Sequence, residues 1–292
     1  MTSSQEEADT RLALHASHAA KTYKNVIVIS EDTDVSVILL SLHAEIGGRI
    51  LLRRGKKNNI RLIDISRLAT IIGEDVCAAL LGVHAWTGCD SVSAFVGQGK
   101  MKSVKLIQTS DKFQEAFAAL GVKWNIPDEL FPILEEFTCA MYAHRAKITT
   151  VNALRYEMFR SKNGDVSSGQ LPPCKDALKQ HAKRANYQAA IWRRSLQNSP
   201  DVPEAKEGHG WVIDGDGQIE IKWITGQPAP NIVLSLMFCK CVKSCKAGSC
   251  QCIDNGLSYT HACKLLDCDN ILKNEDDLEI VPDMDESGID ED

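Results

Sequence analysis

The feature that most constrains the fold of this 292-residue chain is a short apolar run that ends in acids. Residues 25–29 read NVIVI and residues 30–34 read SEDTD, so Glu31, Asp32 and Asp34 follow the run directly. A β-branched run of this length predicts a buried strand. Two interpretations of the acids stay open: an aspartate cap for the helix that follows, or a metal site, since open α/β sheets bind ligands at the carboxyl ends of their strands.

Hydrophobic periodicity and turn residues predict a mixed α/β chain. Residues 4–24 are expected to be helical, 35–45 are either a helix or a second strand, and 50–65 form a hairpin around Gly55 to Asn59. Residues 76–88, VCAALLGVHAWTG, are so apolar that their helix should be buried. Further helices are predicted at 66–75 with Ser66 as its cap, 101–108, 112–121, 129–145 and 149–160.

The second half of the chain has a different character. Residues 161–173 have the composition of a linker. The helix predicted at 175–195 combines six basic residues with Tyr187 and Trp192, which suits either nucleic acid or a helix packed on the domain with a charged outer face. Residues 211–224 predict a hairpin, and the DGDG at its tip lacks the further ligands of an EF-hand calcium loop.

The net charge of −6 hides an uneven distribution. Ten of the 39 acids lie in residues 274–292, which contain no base, so the remaining 29 acids face all 33 Lys and Arg residues. The body is therefore slightly basic and suits a nucleic-acid partner, whereas the tail is too charged to fold alone. No apolar run is as long as a membrane span, and residues 1–11 do not have the pattern of a secretory signal. We expect a nuclear or intracellular protein that is not secreted.

Five acids stand at motif-like positions along the first third of the chain. Glu7 and Asp9 form an E-x-D pair near a helix start, Asp32 and Asp34 form a D-x-D pair after the apolar run, and Asp90 follows Thr87-Gly88-Cys89. An ordered set of this kind is stronger evidence for a site than any one pair. The histidines are single residues on apolar or helical faces, and we expect a structural role for them: His15, His18, His43 and His84.

These motifs resemble the second half of the flap-endonuclease/XPG-type PIN nuclease domain. That family has an E-A-E or E-A-D helix start, a strand ending in E-D-x-D, a G-x-D, and a helix–hairpin–helix element with a G-x-G-x-K turn. This chain reads EEADTR, VISEDTD, TGCD and VGQGKMKSVKLI in that order and at similar spacings, over about residues 7–108. The resemblance implies an α/β, three-layer PIN-like domain with a parallel sheet.

The resemblance also implies a two-metal phosphodiesterase that cleaves branched or flapped DNA. By motif match, Asp32, Asp34 and Asp90 would bind one Mg²⁺ or Mn²⁺ ion, and Glu7 and Asp9 the other. The turn at 96–100, with Gly97 and Gly99, would point backbone N–H groups at a DNA phosphate. Three lysines would add positive charge there, although a solvated helix face explains them as well: Lys100, Lys102 and Lys105. No small-molecule cofactor is expected.

The chain departs from the family pattern at its start. Two earlier strands of the family each bring an aspartate, and the sequence given begins at the third element. We therefore expect an incomplete acidic cluster, an incomplete parallel sheet and an unpaired edge on the strand at 25–29. Three explanations stay open: a truncated gene product, a separate N-terminal half or second copy that completes the sheet, and a degenerate domain that binds without cutting.

Seven of the eleven cysteines lie within thirty residues: Cys239, Cys241, Cys245, Cys250, Cys252, Cys263 and Cys268. Because a reducing compartment is expected, metal is favoured over disulfides, and C-x-C pairs with short gaps suit thiolates that share Zn²⁺. The segment resembles tesmin-like CXC domains and cysteine-rich segments of transposon-derived proteins. Tyr259 and Leu265 stand where that pattern has cysteine.

The sequence thus predicts five segments: a partial PIN-like domain with a helix–hairpin–helix element at 1–110, a helical extension at 111–160, a linker with the basic helix and hairpin at 161–230, a cysteine-rich segment at 231–272 and a disordered acidic tail at 273–292. The leading hypothesis is a metal-dependent, structure-specific DNA nuclease or a remnant of one. The alternative is a non-catalytic DNA- or chromatin-binding zinc protein of transposon origin.

Overall fold

The computed structural model describes residues 2–57, 59–143, 147–161, 168–226, 241–242, 244–246, 248–254 and 264–265. By its internal contacts the chain divides into two compact units, Met1–Thr225 and Gly226–Asp292. The first unit is mixed α/β, in agreement with the predicted class, and one hydrophobic core extends through it. The predicted segments 1–110 and 111–160 both contribute to that core.

The main sheet has three strands in the order β1-β2-β3, with β1 at Asn25–Ile29, β2 at Arg49–Arg54 and β3 at Arg61–Asp64. β1 and β2 are parallel, whereas β2 and β3 are antiparallel. The hairpin predicted at 50–65 is therefore confirmed. Its turn requires Gly55, because φ is +96° there and a Cβ atom would lie 1.8 Å from the carbonyl oxygen of Asn59.

The segment left open between helix and strand is helical. It forms α2 at Thr33–Ser41 and α3 at His43–Ile46. This is the crossover that two parallel strands need, since a tight turn can join only antiparallel strands. Four side chains of α2 are buried, and they anchor the crossover in the hydrophobic core: Val35, Ile38, Leu39 and Leu40.

Among the described residues the main sheet is buried on one face, so the prediction of a buried strand at 25–29 is wrong for three of its five residues: Asn25, Ile27 and Ile29. Val28, Ile50 and Leu52 are at most 5% exposed, whereas Ile27 and Ile29 are 55% and 62% exposed. β1 also lies at the edge of the sheet, as expected. Parallel strands are normally covered on both faces, so this uncovered apolar face is unusual.

Helices supply most of the core of the first unit. Their bounds differ from the sequence prediction by a few residues: α1 is shorter than 4–24, for example, and the helix predicted at 66–75 covers 65–72, with Asp64 rather than Ser66 as its cap. The side chain of Asp64 accepts a hydrogen bond from the Arg67 amide at 3.1 Å. The helices are α1 at Ala8–Ala20, α4 at Ile65–Ile72, α5 at Glu74–Trp86, α6 at Lys100–Gln108, α7 at Asp111–Ala119, α8 at Phe131–Tyr142, α9 at Val151–Ser161 and α10 at Lys175–Arg193.

Two helices, α5 and α10, lie at the centre of this unit. The nearly all-apolar α5 is buried along most of its length, as predicted. The basic helix α10 is also mainly buried, which favours the interpretation of a packed helix over that of a nucleic-acid contact. Its Arg184 is 1% exposed, and Arg193 donates to the carbonyl oxygens of Leu120, Ala78 and Phe117. These guanidinium groups therefore bind backbone rather than solvent.

The remaining described elements are small. A 3₁₀ turn covers Ser168–Gln170, and β4 at Trp211–Ile213 pairs antiparallel with β5 at Ile219–Ile221, which confirms the second hairpin. Asp214 accepts hydrogen bonds from two amides of its turn, so its role is local. In the second unit, α11 covers Gln251–Asp254. The predicted acidic tail lies outside the described residues.

Among the described residues, no single helix is both long and apolar enough to span a membrane. The helices α4 and α5 reach the necessary length and composition only together, as a pair that is bent by 99°.

Candidate metal centre

Of the two interpretations that the sequence left open for the acids after β1, the helix cap is confirmed, and the position of the acids is compatible with a metal site. Asp32 caps α2, because its Oδ1 accepts a hydrogen bond of 2.9 Å from the amide of Asp34. Both aspartates also lie at the carboxyl end of a strand in a partly parallel sheet, where α/β folds bind ligands. Glu31 has a different role, since its Oε1 accepts from the amide of Gly55 at 2.7 Å and so holds the hairpin turn.

A third aspartate joins this pair. Asp9 lies in the first turn of α1, and one carboxylate oxygen from each of Asp9, Asp32 and Asp34 can be placed within 4.8 Å of the others. The structure thus groups Asp9 with the D-x-D pair, whereas the motif match assigned it to a second ion together with Glu7. We call these three residues the aspartate triad.

Glu7 is close to the triad, but its carboxylate already has protein partners. Its Oε1 accepts from Nε2 of Gln188 at 2.8 Å, and its Oε2 accepts from Nε1 of Trp192 at 3.0 Å. Both donors lie on α10, four residues apart on one helical face. No pattern in the sequence connects residue 7 with a helix some 180 positions later, and Gln188 and Trp192 are therefore functional candidates that the fold reveals.

His84 is the second residue that sequence reasoning missed. Its Nε2 lies 2.7 Å from Oδ1 of Asp34, and its Nδ1 lies 3.0 Å from Nζ of Lys100. The imidazole thus orients a triad carboxylate and connects it to a cation, which is more than the structural role predicted for it. A signal was present, because His84 is the one basic residue of α5 and lies in its apolar, buried part, and buried polar groups need partners.

Asp90 lies beside the cluster on a tight turn closed by two backbone hydrogen bonds between Cys89 and Val92. It is exposed and does not belong to the triad. Its charge nevertheless contributes to raising the pKa of Glu7 and Asp9. The preceding Gly88 is required by its φ of +107° and by Ala94, which a Cβ atom would approach to 2.8 Å.

The carboxylates of this site affect one another's protonation. Burial and then the charges of Asp32 and Asp34 raise the pKa of Asp9 to about 6. Burial also raises the pKa of Glu7 despite its two hydrogen bonds. The hydrogen bond from His84 lowers the pKa of Asp34, and burial lowers the pKa of Lys100. A cluster of like charges that has not been neutralised shifts pKa values in this way, and a bound cation would relieve it.

The raised pKa of Asp9 gives a prediction for the protein without divalent ions. The pKa of Asp9 is about 6 in the folded state and near the ordinary 3.8 in the unfolded chain, so the folded state binds this proton more tightly. The free energy of unfolding in EDTA is therefore expected to rise as the pH falls from 7 to 5. Urea unfolding at both pH values measures the change. Asp9→Asn should remove this contribution, and an unchanged pH dependence in that variant would contradict it.

The glycine turn and its lysines are arranged differently from the motif match. Gly97 and Gly99 are exposed, and Gly99 precedes the first turn of α6, as expected for an anion-binding turn. Lys105 is exposed on α6. Lys100, however, contacts His84 at the acidic cluster, and Lys102 donates to the carbonyl oxygen of Met141 and to Oε1 of Gln98. Lys105 is thus the lysine whose position agrees best with the predicted solvent-facing role.

A second possible metal group lies in the other unit. One thiol from each of Cys241, Cys245 and Cys250 lies within 4.8 Å of the others, and Cys252 is buried in the same small cluster. Thiolates around a tetrahedral Zn²⁺ are about 3.8 Å apart, so three thiols at this separation fit the ion after small rotamer changes. The other predicted ligands lie outside the described residues: Cys239, Cys263 and Cys268.

Comparison of the chain with protein-family models, with curated proteins and with solved structures finds no significant match. The described residues form a mixed α/β protein with a carboxylate cluster at the carboxyl end of β1 and a separate group of cysteines that could bind metal.

Proposed function

We propose that the unit Met1–Thr225 is a Mg²⁺- or Mn²⁺-dependent DNA nuclease of the PIN type. The observation that carries the proposal is the convergence of Asp9, Asp32 and Asp34 at the carboxyl end of β1. These residues come from two helix starts that are separated in sequence, and burial together with the charges of Asp32 and Asp34 raises the pKa of Asp9 to about 6. Burial and like charge of this kind are typical of functional sites.

The chemistry of the ligands fits a hard divalent ion. Mg²⁺ binds oxygen ligands at 2.0–2.1 Å, so that its ligand atoms are about 3–4 Å apart, and it usually takes only one or two carboxylates together with substrate phosphate and water. Oxygens within 4.8 Å of one another need only small side-chain rotations to reach that separation. The described triad consists of three carboxylates, without a sulfur or imidazole ligand, and this favours Mg²⁺ or Mn²⁺ over Zn²⁺ at this site.

Each residue of the site has a role in this proposal. A bound divalent ion would polarise the phosphodiester and lower the pKa of an attacking water. His84 keeps Asp34 ionised and fixed, and Gln188 and Trp192 hold Glu7 at the rim of the cluster. Lys100 brings a positive charge beside Asp34 and Asp90, where a phosphate entering the site would meet it. The turn at 97–99 offers backbone N–H groups to the next phosphate.

Incubation of the purified chain with a 5′-flap DNA tests the proposal. Substrates with a labelled flap, a labelled blunt duplex and a labelled single strand would be compared in Mg²⁺, Mn²⁺ and EDTA. The proposal predicts cleavage that requires the ion and is fastest on the flap. Absence of cleavage of every substrate in both ions, by a protein that is folded by circular dichroism, would contradict it.

One observation favours the alternative, a DNA- or chromatin-binding protein without catalysis. Glu7 already has two hydrogen-bond donors, and Lys100 places a protein cation close to Asp34, so the cluster is partly compensated without metal. In such a protein a zinc-bound cysteine segment would carry structure. Binding of DNA that weakens steeply with salt, together with no cleavage, would mark this function.

A further inference from the structure

Besides the aspartate triad, the first unit has a cavity of about 380 Å³ that could bind a ligand. It lies between the segment at 93–96, α8, α9 and α10. Three aromatic side chains line it: Phe95, Tyr142 and Trp223. Trp223 is 59% exposed and Val96 is 67% exposed, so both side chains are accessible to a ligand from solvent. The cavity therefore has an apolar, partly aromatic wall and an exposed indole ring.

The charge of this cavity is positive. Arg184 and Arg155 line it, and no carboxylate of the described residues does. Arg184 is 1% exposed, its Nη1 donates to the carbonyl oxygens of Gly210 and Lys222, and its buried Nε has no hydrogen-bond partner. None of the described salt bridges includes it. A buried guanidinium group without an anion is costly, so an anionic ligand would be stabilised here.

The neutral part of the wall is fixed by His181. Its ring is 4.7 Å from that of Phe95, and its Nε2 donates to the carbonyl oxygen of Trp86 at 2.8 Å. Burial lowers the pKa of His181 to about 4, so the imidazole is uncharged at neutral pH. The cavity thus combines flat uncharged surfaces with guanidinium groups, which is the chemistry that binds a nucleobase and its phosphate.

The cavity and the acidic cluster lie along the same side of α10. Arg184, Gln188 and Trp192 follow one another at intervals of four residues, which places them on one helical face. At 1.5 Å per residue, Arg184 is about 6 Å along the axis from Gln188 and about 12 Å from Trp192, the two residues that hold Glu7. Val96, at the mouth of the cavity, also begins the glycine turn that leads to Lys100. These distances suit neighbouring nucleotides of one strand.

We propose that this cavity binds an unstacked nucleobase, with its phosphate, from a single-stranded segment next to the bond that is cleaved. The inference rests on the proposed nuclease function and names the part of the substrate that the site recognises. Trp223 stacks on the base, and Arg155 and Arg184 bind the phosphate. Because every base has an aromatic face, recognition is by structure rather than by sequence.

Binding in Ca²⁺, where cleavage is suppressed, tests the proposal. Fluorescence anisotropy would measure the affinity of the native chain for a flap DNA and for a blunt duplex of the same stem. Trp223→Ala is expected to weaken flap binding about tenfold and leave duplex binding unchanged, and Trp223→Phe should retain most of the affinity. Tyr23→Ala is the matched control, since Tyr23 is also an exposed aromatic residue, 65% exposed, and does not line the cavity.

The outcomes separate the two proposals. Flap binding that is equal in Trp223→Ala and the native chain overturns the base cavity and leaves the nuclease proposal in place. Selective loss of flap binding in that variant supports the cavity even where Mg²⁺ produces no cleavage, a result that contradicts the nuclease proposal alone. A native chain that binds neither DNA contradicts both.

Discussion

Replacement of Asp34 by Asn is expected to lower metal-dependent cleavage by about 100-fold or more. Asp34 belongs to the aspartate triad and is the member that His84 orients, through a contact of 2.7 Å. The amide keeps the shape of the side chain but removes the negative charge that binds the ion, and loss of one group that stabilises a transition-state charge typically costs 10²–10³ in rate. Initial rates on labelled flap DNA in Mg²⁺ measure the effect.

Asp75→Asn is the matched control for this prediction. Asp75 is an exposed acid in the first turn of α5 and has no contact with the triad. Its replacement removes the same charge from the protein and should change the cleavage rate less than twofold. Equal rates for Asp34→Asn and the native chain would show that any cleavage observed does not use this site. Circular dichroism of both variants separates loss of activity from loss of the fold.

Replacement of Cys245 by Ser is expected to weaken Zn²⁺ binding about 100-fold or more. Cys245 is 7% exposed, and its thiol is part of the group with Cys241 and Cys250. Serine has nearly the same size but is a poor zinc ligand at neutral pH. Structural zinc in small domains contributes about 10–16 kcal/mol, which is shared among four ligands, so loss of one costs several kcal/mol. Competition with a chromogenic zinc chelator measures the affinity directly.

The control for the zinc prediction is Cys174→Ser. Cys174 is a partly exposed cysteine at the start of α10 in the other unit, outside the thiol group. Its replacement should leave zinc affinity and stoichiometry as they are in the native chain. If Cys245→Ser binds zinc with native affinity, the group formed with Cys241 and Cys250 is not the metal site.

Local patterns were sufficient to predict much of the first unit. The β-branched run gives β1, the glycine-containing gap between apolar segments gives the β2–β3 hairpin, and the nearly all-apolar segment gives the buried helix α5. These elements are set by periodicity and turn chemistry over a few neighbouring residues. The same local patterns predict that Asp32 and Asp34 follow a strand and that an aspartate caps the next helix, as Asp32 does.

Tertiary packing determines the features of the fold that the sequence did not predict. The basic composition of α10 indicates a charged surface helix, but Arg184 and Arg193 are stabilised inside the protein by carbonyl groups from distant segments. The uncovered face of β1 also depends on which elements pack beside it, and strand propensity contains no such information. For the same reason the contacts of Glu7 with Gln188 and Trp192 were not predictable.

The candidate site was likewise predicted in part from local patterns and in part determined by tertiary packing. The motif spacing identified the carboxylates, and the fold brings Asp9, Asp32 and Asp34 together as a group. The sequence did not reveal that the ammonium group of Lys100 contacts His84. A lysine on an amphipathic helix can extend into solvent or along a neighbouring element, and the acids near the ammonium group of Lys100 are Asp34 and Asp90.

The most direct test of the account is a measurement of Mn²⁺ binding by electron paramagnetic resonance. The native chain would be titrated beside the double variant Asp9→Asn/Asp34→Asn and beside Asp75→Asn. The account predicts saturable binding of at least one Mn²⁺ by the native chain and by Asp75→Asn, and loss of that binding in the double variant. Equal Mn²⁺ binding by the native chain and the double variant, or no binding by either, would contradict the central claim that the aspartate triad is a metal site.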